Sequence, residues 1–152
     1  MEDIKRILAV NRMTKYCPKA VHYGIILSQR HEFELSVVHV IDTSWLKGWN
    51  FPIMSVEEEY RKDFEKKKKK IDNMISREKK KGMMIKEFTM EGDPTTEILK
   101  VIKKENIDLV ILLAHQESRL EHFLFGRSNE EIIEKMPCSV LLVKKGPETM
   151  SY

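Results

Sequence analysis

Two short apolar runs near the C-terminal end, Leu109–Leu113 and Val140–Val143, form the clearest hydrophobic pattern in the chain. Both runs are rich in Val, Ile and Leu, and both are too short for helices. Such runs are typical of strands buried on both faces, as in a parallel sheet covered by helices. Between them lie a polar loop, Gly126 and a helical pattern over Asn129–Met136, so this stretch predicts a β-α-β unit. Its loop opens at the carboxyl end of a strand, the edge where open α/β sheets bind ligands.

The same patterns predict three more strands and three more helices. The predicted strands are Lys5–Val10, Glu34–Ile41 and Met83–Met90, and the predicted helices are Lys19–Arg30, Ser55–Lys81 and Thr95–Glu105. Asp93 and Pro94 are suited to the cap and first turn of the last of these helices. Five strands alternating with four helices predict one α/β domain with a parallel sheet over residues 1–147, followed by a frayed tail at residues 148–152.

The long helix Ser55–Lys81 has a single narrow apolar stripe and is otherwise highly charged. Ser55 with Glu58 predicts a capping box at its start, and Gly82 predicts its end. It contains five consecutive lysines, Lys66–Lys70, which fan around most of the helix circumference and therefore indicate a solvated surface rather than one basic face. The preceding segment Asp42–Met54 contains both tryptophans and is interpreted as a loop covering the edge of the core, or alternatively as a lid or partner surface.

Composition narrows the possible functions. The chain has 152 residues, of which 41% are hydrophobic and 34% charged, as expected for a globular protein with a core. Its 27 basic and 24 acidic residues nearly cancel, so bulk charge does not favour nucleic-acid binding. Cys17 and Cys138 lack metal-type spacing and are expected to be free thiols. No apolar run approaches the roughly 18 residues of a membrane helix, and the protein is expected to be cytoplasmic.

Five pieces of the chain, taken in order, resemble the universal stress protein family. GDPTTEILKVIKKENIDLVILLAH is followed by a loop and then by GRSNEEIIEKMPCSVLLVK, while KRILAV and SVVHVID fit the first two strands of the family. The resemblance implies a five-stranded parallel sheet flanked by helices, the adenine nucleotide alpha hydrolase-like fold. It also implies a role in stress response and a homodimer formed through the last strand, Ser139–Lys144.

Many members of this family bind ATP through a loop of the form G-x2-G-x9-G-[ST]. Its glycines let backbone N–H groups approach phosphates closely, next to the positive end of a helix. With Gly126 as the third glycine, the two earlier glycine positions hold Leu113 and Gln116, and Arg127 takes the hydroxyl position. The resemblance places Asn11, which opens the predicted polar loop Asn11–Tyr16, at the adenine-side aspartate, and Val40 at a position that meets the adenine.

These substitutions favour a domain that has lost family-type nucleotide binding. Side chains replace two glycines, Glu117 and Glu121 add negative charge, and an asparagine cannot accept two ribose hydrogen bonds as a carboxylate would. The favoured hypothesis is a non-enzymatic regulatory or interaction domain without a cofactor, with an unknown protein partner. The alternative is an ATP- or AMP-binding sensor with a non-standard loop. Its cofactor-binding residues would be Asn11, Val40, Gly126, Arg127 and Ser128. A weaker third hypothesis is nucleic-acid binding through Lys66–Lys70 together with Arg77 and Lys79–Lys81.

The remaining chemistry-bearing residues form no catalytic set. Ser128 with Glu131 predicts a capping box for the last helix, which would occupy the N–H groups that a phosphate needs. His115 and His122 share one loop without a further ligand at metal spacing, so no metal site is expected. His39 lies on a predicted buried strand, which favours a hydrogen-bonded core histidine, and Cys138 is expected to be a buried, inert thiol.

Overall fold

The structure is a computed structural model that describes residues 3–12, 17–43, 54–114 and 128–144, with backbone alone at positions 17, 54–57, 60 and 128–131. Within these ranges the chain forms five strands and four helices in strict alternation. They are β1 (Arg6–Asn11), α1 (Cys17–His31), β2 (Glu34–Asp42), α2 (Met54–Lys80), β3 (Ile85–Gly92), α3 (Pro94–Glu105), β4 (Leu109–Ala114), α4 (Ser128–Lys135) and β5 (Ser139–Lys144).

The five strands form one parallel sheet, as the sequence predicted. Their order in the sheet is β3-β2-β1-β4-β5. The chain builds outward from β1 through β2 to β3, then crosses back to place β4 on the other side of β1. The direction of winding therefore reverses between β1 and β4. In open α/β sheets the crevice at such a reversal, outside the carboxyl ends of the strands, is where ligands bind.

Each face of the sheet carries its own core, because alternate strand residues point to opposite faces. On the first face, α1 and α2 cover residues that include Ile7, Leu35 and Ile111. On the second face, α3 and α4 cover residues that include Leu8 and Val110. Burial on both faces explains why the central strands are apolar runs instead of alternating patterns.

Local signals fix several element boundaries where the sequence predicted them. Asp93 is the N-cap of α3, and its carboxylate accepts from the Thr96 backbone N–H at 3.0 Å. Asn106 closes α3 in the left-handed conformation, with φ of 51°. Gly82, with φ of 97°, follows α2 at the predicted stop. Asp93 pairs a backbone N–H at the start of a helix, while Asn106 and Gly82 adopt the positive φ with which helices commonly end.

Other boundaries differ from the sequence predictions. The helix α2 begins at Met54, so Ser55 is its second residue instead of the predicted cap. The strand β3 begins at Ile85, which pairs with Leu35 of β2, and the preceding Met84 is 88% exposed. Of the predicted loop Asp42–Met54, Asp42 is buried at the end of β2, and residues 44–53 lie outside the described part of the chain.

The lysine run Lys66–Lys70 lies on the surface of α2, as predicted. Lys66, Lys69 and Lys70 are exposed, while Lys67 and Lys68 pair with acidic residues one helical turn away. None of the helices in the described ranges combines the length and apolar content that crossing a membrane requires. The predicted domain end at residue 147 and the tail at residues 148–152 fall outside the described ranges and stay predictions.

Candidate functional site

The candidate site is the crevice between the carboxyl ends of β1 and β4. Of the five residues predicted to hold a nucleotide, Asn11 and Val40 are fully described. Ser128 is the first residue of α4, but its side chain lies outside the described atoms, and so does that of Glu131 in the predicted capping box. Gly126 and Arg127, together with Gln116 and the two histidines predicted in this loop, also fall outside the described ranges.

Asn11 is a buried core residue and not the start of a polar loop. It is the last residue of β1, lies in register with His39 of β2, and is only 1% exposed. Its Nδ2 donates a hydrogen bond to Nδ1 of His39 at 2.9 Å. The sequence prediction of a loop from Asn11 was wrong because a polar residue can extend a buried strand when the neighbouring strand offers it a partner.

Val40 belongs to the opposite face of the sheet from Asn11. It packs in the core under α3 and α4, with Val38 two residues before it, and is 1% exposed. Asn11 follows Ile7 and Ala9 on the face under α1 and α2. The structure therefore does not bring the two side chains together on one face of the sheet.

Leu113, which stands at the first glycine position of the family loop, lies inside β4. It pairs with Val143 of β5 and is buried. Its side chain is part of the packed interior, so the backbone here is committed to the sheet and is not a free loop. The leucine side chain also stands where the family motif has none, which hinders close approach of a phosphate to this backbone.

His39 links the end of β1 to β3. Its side chain is fully buried, and its second nitrogen, Nε2, lies 3.5 Å from Oε2 of Glu87. Burial lowers the pKa of His39, the positive charge of Lys68 lowers it further, and the carboxylates of Asp72 and Glu87 partly oppose both effects. His39 is therefore neutral near pH 7, with Nδ1 accepting from Asn11 and the Nε2 proton directed at Glu87.

The expected role of His39 as a hydrogen-bonded core histidine is confirmed, but the sequence did not reveal its partners. Glu87 lies on the same face of β3, two residues before Thr89, which is the register partner of His39. Counting alternate residues from the buried Ile85 places Glu87 on the covered face. A glutamate there is a signal that sequence reasoning can use once strand order is known.

Cys138 is a half-buried free thiol just before β5. Burial raises its pKa, and the negative charge of Asp108 raises it further. Its thiolate is therefore disfavoured at neutral pH, which supports the predicted inert thiol, although the side chain is half-buried instead of buried. The side chain of Cys17 lies outside the described atoms.

Comparison with known proteins shows which family and which solved structures this chain resembles. The model of the universal stress protein family matches residues 3–144. Universal stress protein MJ0577 of Methanocaldococcus jannaschii is 28% identical over 125 residues, which cover 74% of this chain and 77% of that protein. A universal stress protein of Methanothermobacter thermautotrophicus is 26% identical over 154 residues, covering 95% and 99%.

Solved structures show the same fold. The structure of MJ0577 superposes with a TM-score of 0.62 at 26% identity, covering 95% of this chain and 98% of that one. A universal stress protein in complex with cAMP gives a TM-score of 0.55 at 14% identity, covering 91% and 95%. A member from Arabidopsis thaliana with AMP bound gives 0.59 at 15% identity, covering 95% and 97%.

Proposed function

This chain belongs to the universal stress protein family, and from that premise we propose that it is a non-enzymatic regulatory or interaction domain in stress response that does not bind ATP in the family manner. The observation that carries the proposal is the buried hydrogen bond between Asn11 and His39. The family's adenine-side carboxylate would stand at Asn11, and here that position is occupied by a side chain engaged inside the core.

The cost of turning Asn11 toward a ligand can be estimated. Rotation would break a buried hydrogen bond and leave His39 Nδ1 without its partner, which costs about 1–3 kcal/mol. That cost would weaken binding by about 5- to 140-fold. An asparagine that did turn would also offer one acceptor oxygen in place of the two of a carboxylate.

The loop substitutions act in the same direction. Leu113 is buried in β4, so the first glycine position of the family motif is part of the sheet. Gln116 and Arg127 replace a glycine and a hydroxyl residue in the sequence. A triphosphate needs several backbone N–H groups that no side chain screens. Two of the three glycines that leave these groups open are replaced here, and so is the hydroxyl residue of the motif.

A second candidate function is a sensor for AMP or another adenine nucleotide through a non-standard loop. It is favoured by the two solved relatives that hold AMP and cAMP on the same fold. A monophosphate makes fewer demands on a phosphate loop than ATP does. The ligand would use Val40 near the adenine and Gly126, Arg127 and Ser128 near the phosphate.

Thermal unfolding in the presence of ATP with magnesium, AMP or cAMP tests the proposal. A ligand present at 100 times its dissociation constant adds about 2.7 kcal/mol to the apparent stability, which raises the melting temperature by several degrees. We expect no rise with millimolar ATP and magnesium. A clear rise with ATP would overturn the proposal.

A rise with AMP or cAMP alone would favour the second candidate. In that case Arg127→Ala should abolish the rise, because the guanidinium would contact the phosphate. Arg30→Ala, which removes an exposed arginine from the last turn of α1, is the matched control and should leave the rise unchanged.

We further propose that two copies pair through β5. This strand is the outer strand of the sheet next to β4, and Leu142 on it is 48% exposed. An outer strand presents unpaired backbone N–H and C=O groups, and an exposed leucine there suits a second strand of the same kind.

A further inference from the structure

Three ligand-type side chains converge on the sheet face that α2 covers. His39 of β2, Glu87 of β3 and Asp72 of α2 each place one potential ligand atom within 4.8 Å of the other two. Nε2 of His39 lies 3.5 Å from Oε2 of Glu87. These residues come from three separate elements, so only the folded chain brings them together.

The buried nitrogen of His39 is the unusual member of the group. Its side chain is fully buried, and among the described residues Nε2 makes no regular hydrogen bond, since its neighbour Oε2 of Glu87 lies 3.5 Å away. Most buried polar atoms in proteins have a hydrogen-bond partner, because leaving one unpaired destabilises the folded state. Here the atom lies close to the carboxylates of Glu87 and Asp72, which is an arrangement that suits a cation.

We propose that His39, Asp72 and Glu87 form a binding site for a divalent first-row transition-metal ion such as Zn²⁺. One imidazole and two carboxylates are ligands that such ions accept, and three protein ligands leave a fourth position for water. The two carboxylates together balance the charge of the ion. The proposed site lies next to the nucleotide crevice, because His39 contacts Asn11. Its three ligands are not among the residues predicted to hold a nucleotide.

The distances fit a tetrahedral ion after a small adjustment. Metal–ligand bonds of about 2.0–2.2 Å place neighbouring ligand atoms about 3.4 Å apart. His39 and Glu87 already meet this spacing at 3.5 Å. Asp72 has to approach by at most about 1.4 Å, and its side chain is 39% exposed, so a rotamer change can supply the movement.

Asn11 is suited to orient the histidine for metal binding. Metal-bound histidines usually donate their other ring N–H to a carbonyl or carboxylate oxygen. A half-turn of the Asn11 amide would present Oδ1 to Nδ1 of His39, at the 2.9 Å separation already seen for Nδ2. Nε2 would then carry its lone pair toward the ion.

Each of the two carboxylates already pairs with a lysine, and these ammonium groups would compete with a metal ion. Lys79 lies 3.1 Å from Oε1 of Glu87, which leaves Oε2 for the ion. Lys68 contacts both oxygens of Asp72, at 3.1 and 3.3 Å. The ammonium of Lys68 is therefore the cation that a metal ion has to displace from one oxygen, and its removal should strengthen metal binding.

Titration with cobalt(II), a spectroscopic substitute for zinc, tests the proposal on the full chain after treatment with a chelator. We expect binding of one ion with visible absorption of a four-coordinate site and a rise in melting temperature. Glu87→Gln and Asp72→Asn should each weaken binding by about tenfold or more, because each removes a charged ligand. Lys68→Met should tighten binding.

Asp63→Asn is the matched control. Asp63 lies on the same helix and pairs with Lys67 four residues away, as Asp72 pairs with Lys68, but it is not part of the cluster. This variant should bind cobalt like the wild type. The three carboxylate variants change partly exposed residues, so the test does not depend on replacing the buried histidine.

The proposal is overturned if the wild type binds no cobalt at 1 mM. It is equally overturned if Glu87→Gln and Asp72→Asn bind as tightly as the wild type and Asp63→Asn, because the ion would then be held by other groups such as His115 or His122.

Discussion

Removal of the Asp108 carboxylate should weaken the amino-terminal edge of the sheet. Asp108 lies just before β4, and its Oδ2 accepts the backbone N–H groups of Lys5 and Arg6, both at 2.9 Å. Its own N–H donates to the Arg6 carbonyl, and its carbonyl accepts from Ser139 at the start of β5. One residue therefore ties together the starts of β1, β4 and β5.

The expected loss can be worked from these two bonds. A hydrogen bond to a charged group contributes about 1.5–3 kcal/mol when protected from water, and much less at an exposed site. Since the Lys5 contact is exposed and the Arg6 contact is half-buried, Asp108→Ala should lower the free energy of unfolding by about 1–2 kcal/mol at pH 7. Asp108→Asn should lose less, because its side-chain oxygen can still accept.

The contribution should also depend on pH. The Lys5 N–H lowers the pKa of Asp108 first, slight burial opposes it, and the Arg6 N–H and the charges of Arg6 and Lys5 lower it further. The pKa is thus lower in the folded state than the value of about 3.9 typical of an unfolded chain. The stabilisation is complete above the unfolded pKa and is lost as pH falls through the folded pKa.

Urea unfolding of wild type and Asp108→Ala at pH 7, 5 and 3.5 measures both effects. The difference in unfolding free energy should be equal at pH 7 and 5 and smaller at pH 3.5. Asp63→Ala, whose carboxylate makes only an exposed helical pair, should stay within about 0.5 kcal/mol of the wild type. A difference below about 0.3 kcal/mol at pH 7, or one that grows on acidification, would refute this reasoning.

Three further predictions concern single contacts. Asp93→Ala should cost about 0.5–2 kcal/mol in urea unfolding, because α3 loses its cap; an unchanged midpoint would contradict this. Gly24→Ala should lower the melting temperature, because its new Cβ would lie 3.0 Å from Cδ1 of the buried Leu35 and 3.4 Å from Cβ of Ala9. Overpacking costs about 1–3 kcal/mol, against a helix-propensity gain of about 1 kcal/mol, and a raised melting temperature would contradict this. Leu142→Lys should shift a dimer to a monomer near 18.0 kDa in gel filtration, whereas a wild type that is already monomeric would exclude pairing through β5.

Much of the fold could be predicted because its signals are local. The apolar runs Leu109–Leu113 and Val140–Val143 indicate buried strands without any knowledge of their partners, because a strand that is covered on both faces needs apolar side chains at every position. Asp93, Gly82 and Asn106 mark helix ends through their own backbone and side-chain chemistry. The order of these elements was enough to indicate the family, which the match over residues 3–144 confirms.

The candidate site was less accessible from sequence. Asn11 follows an apolar run and was assigned to a loop, because nothing nearby shows that His39 stands opposite it. Val40 was grouped with Asn11 by resemblance, although strand alternation directs the two side chains to opposite faces. Gly126 and Arg127 lie outside the described residues, and their roles stay predictions.

The sequence by itself determined the α/β architecture, the two ends of α3 and the substitution of the phosphate-loop glycines, since each of these depends on residues close together in the chain. Only the tertiary structure decided that the polar side chains of His39, Glu87 and Asp72 face one another across β2, β3 and α2. Such a meeting depends on strand register and on the rotation of a helix over the sheet. Both are set by the packing of the whole core, and a pattern within any one segment cannot encode them.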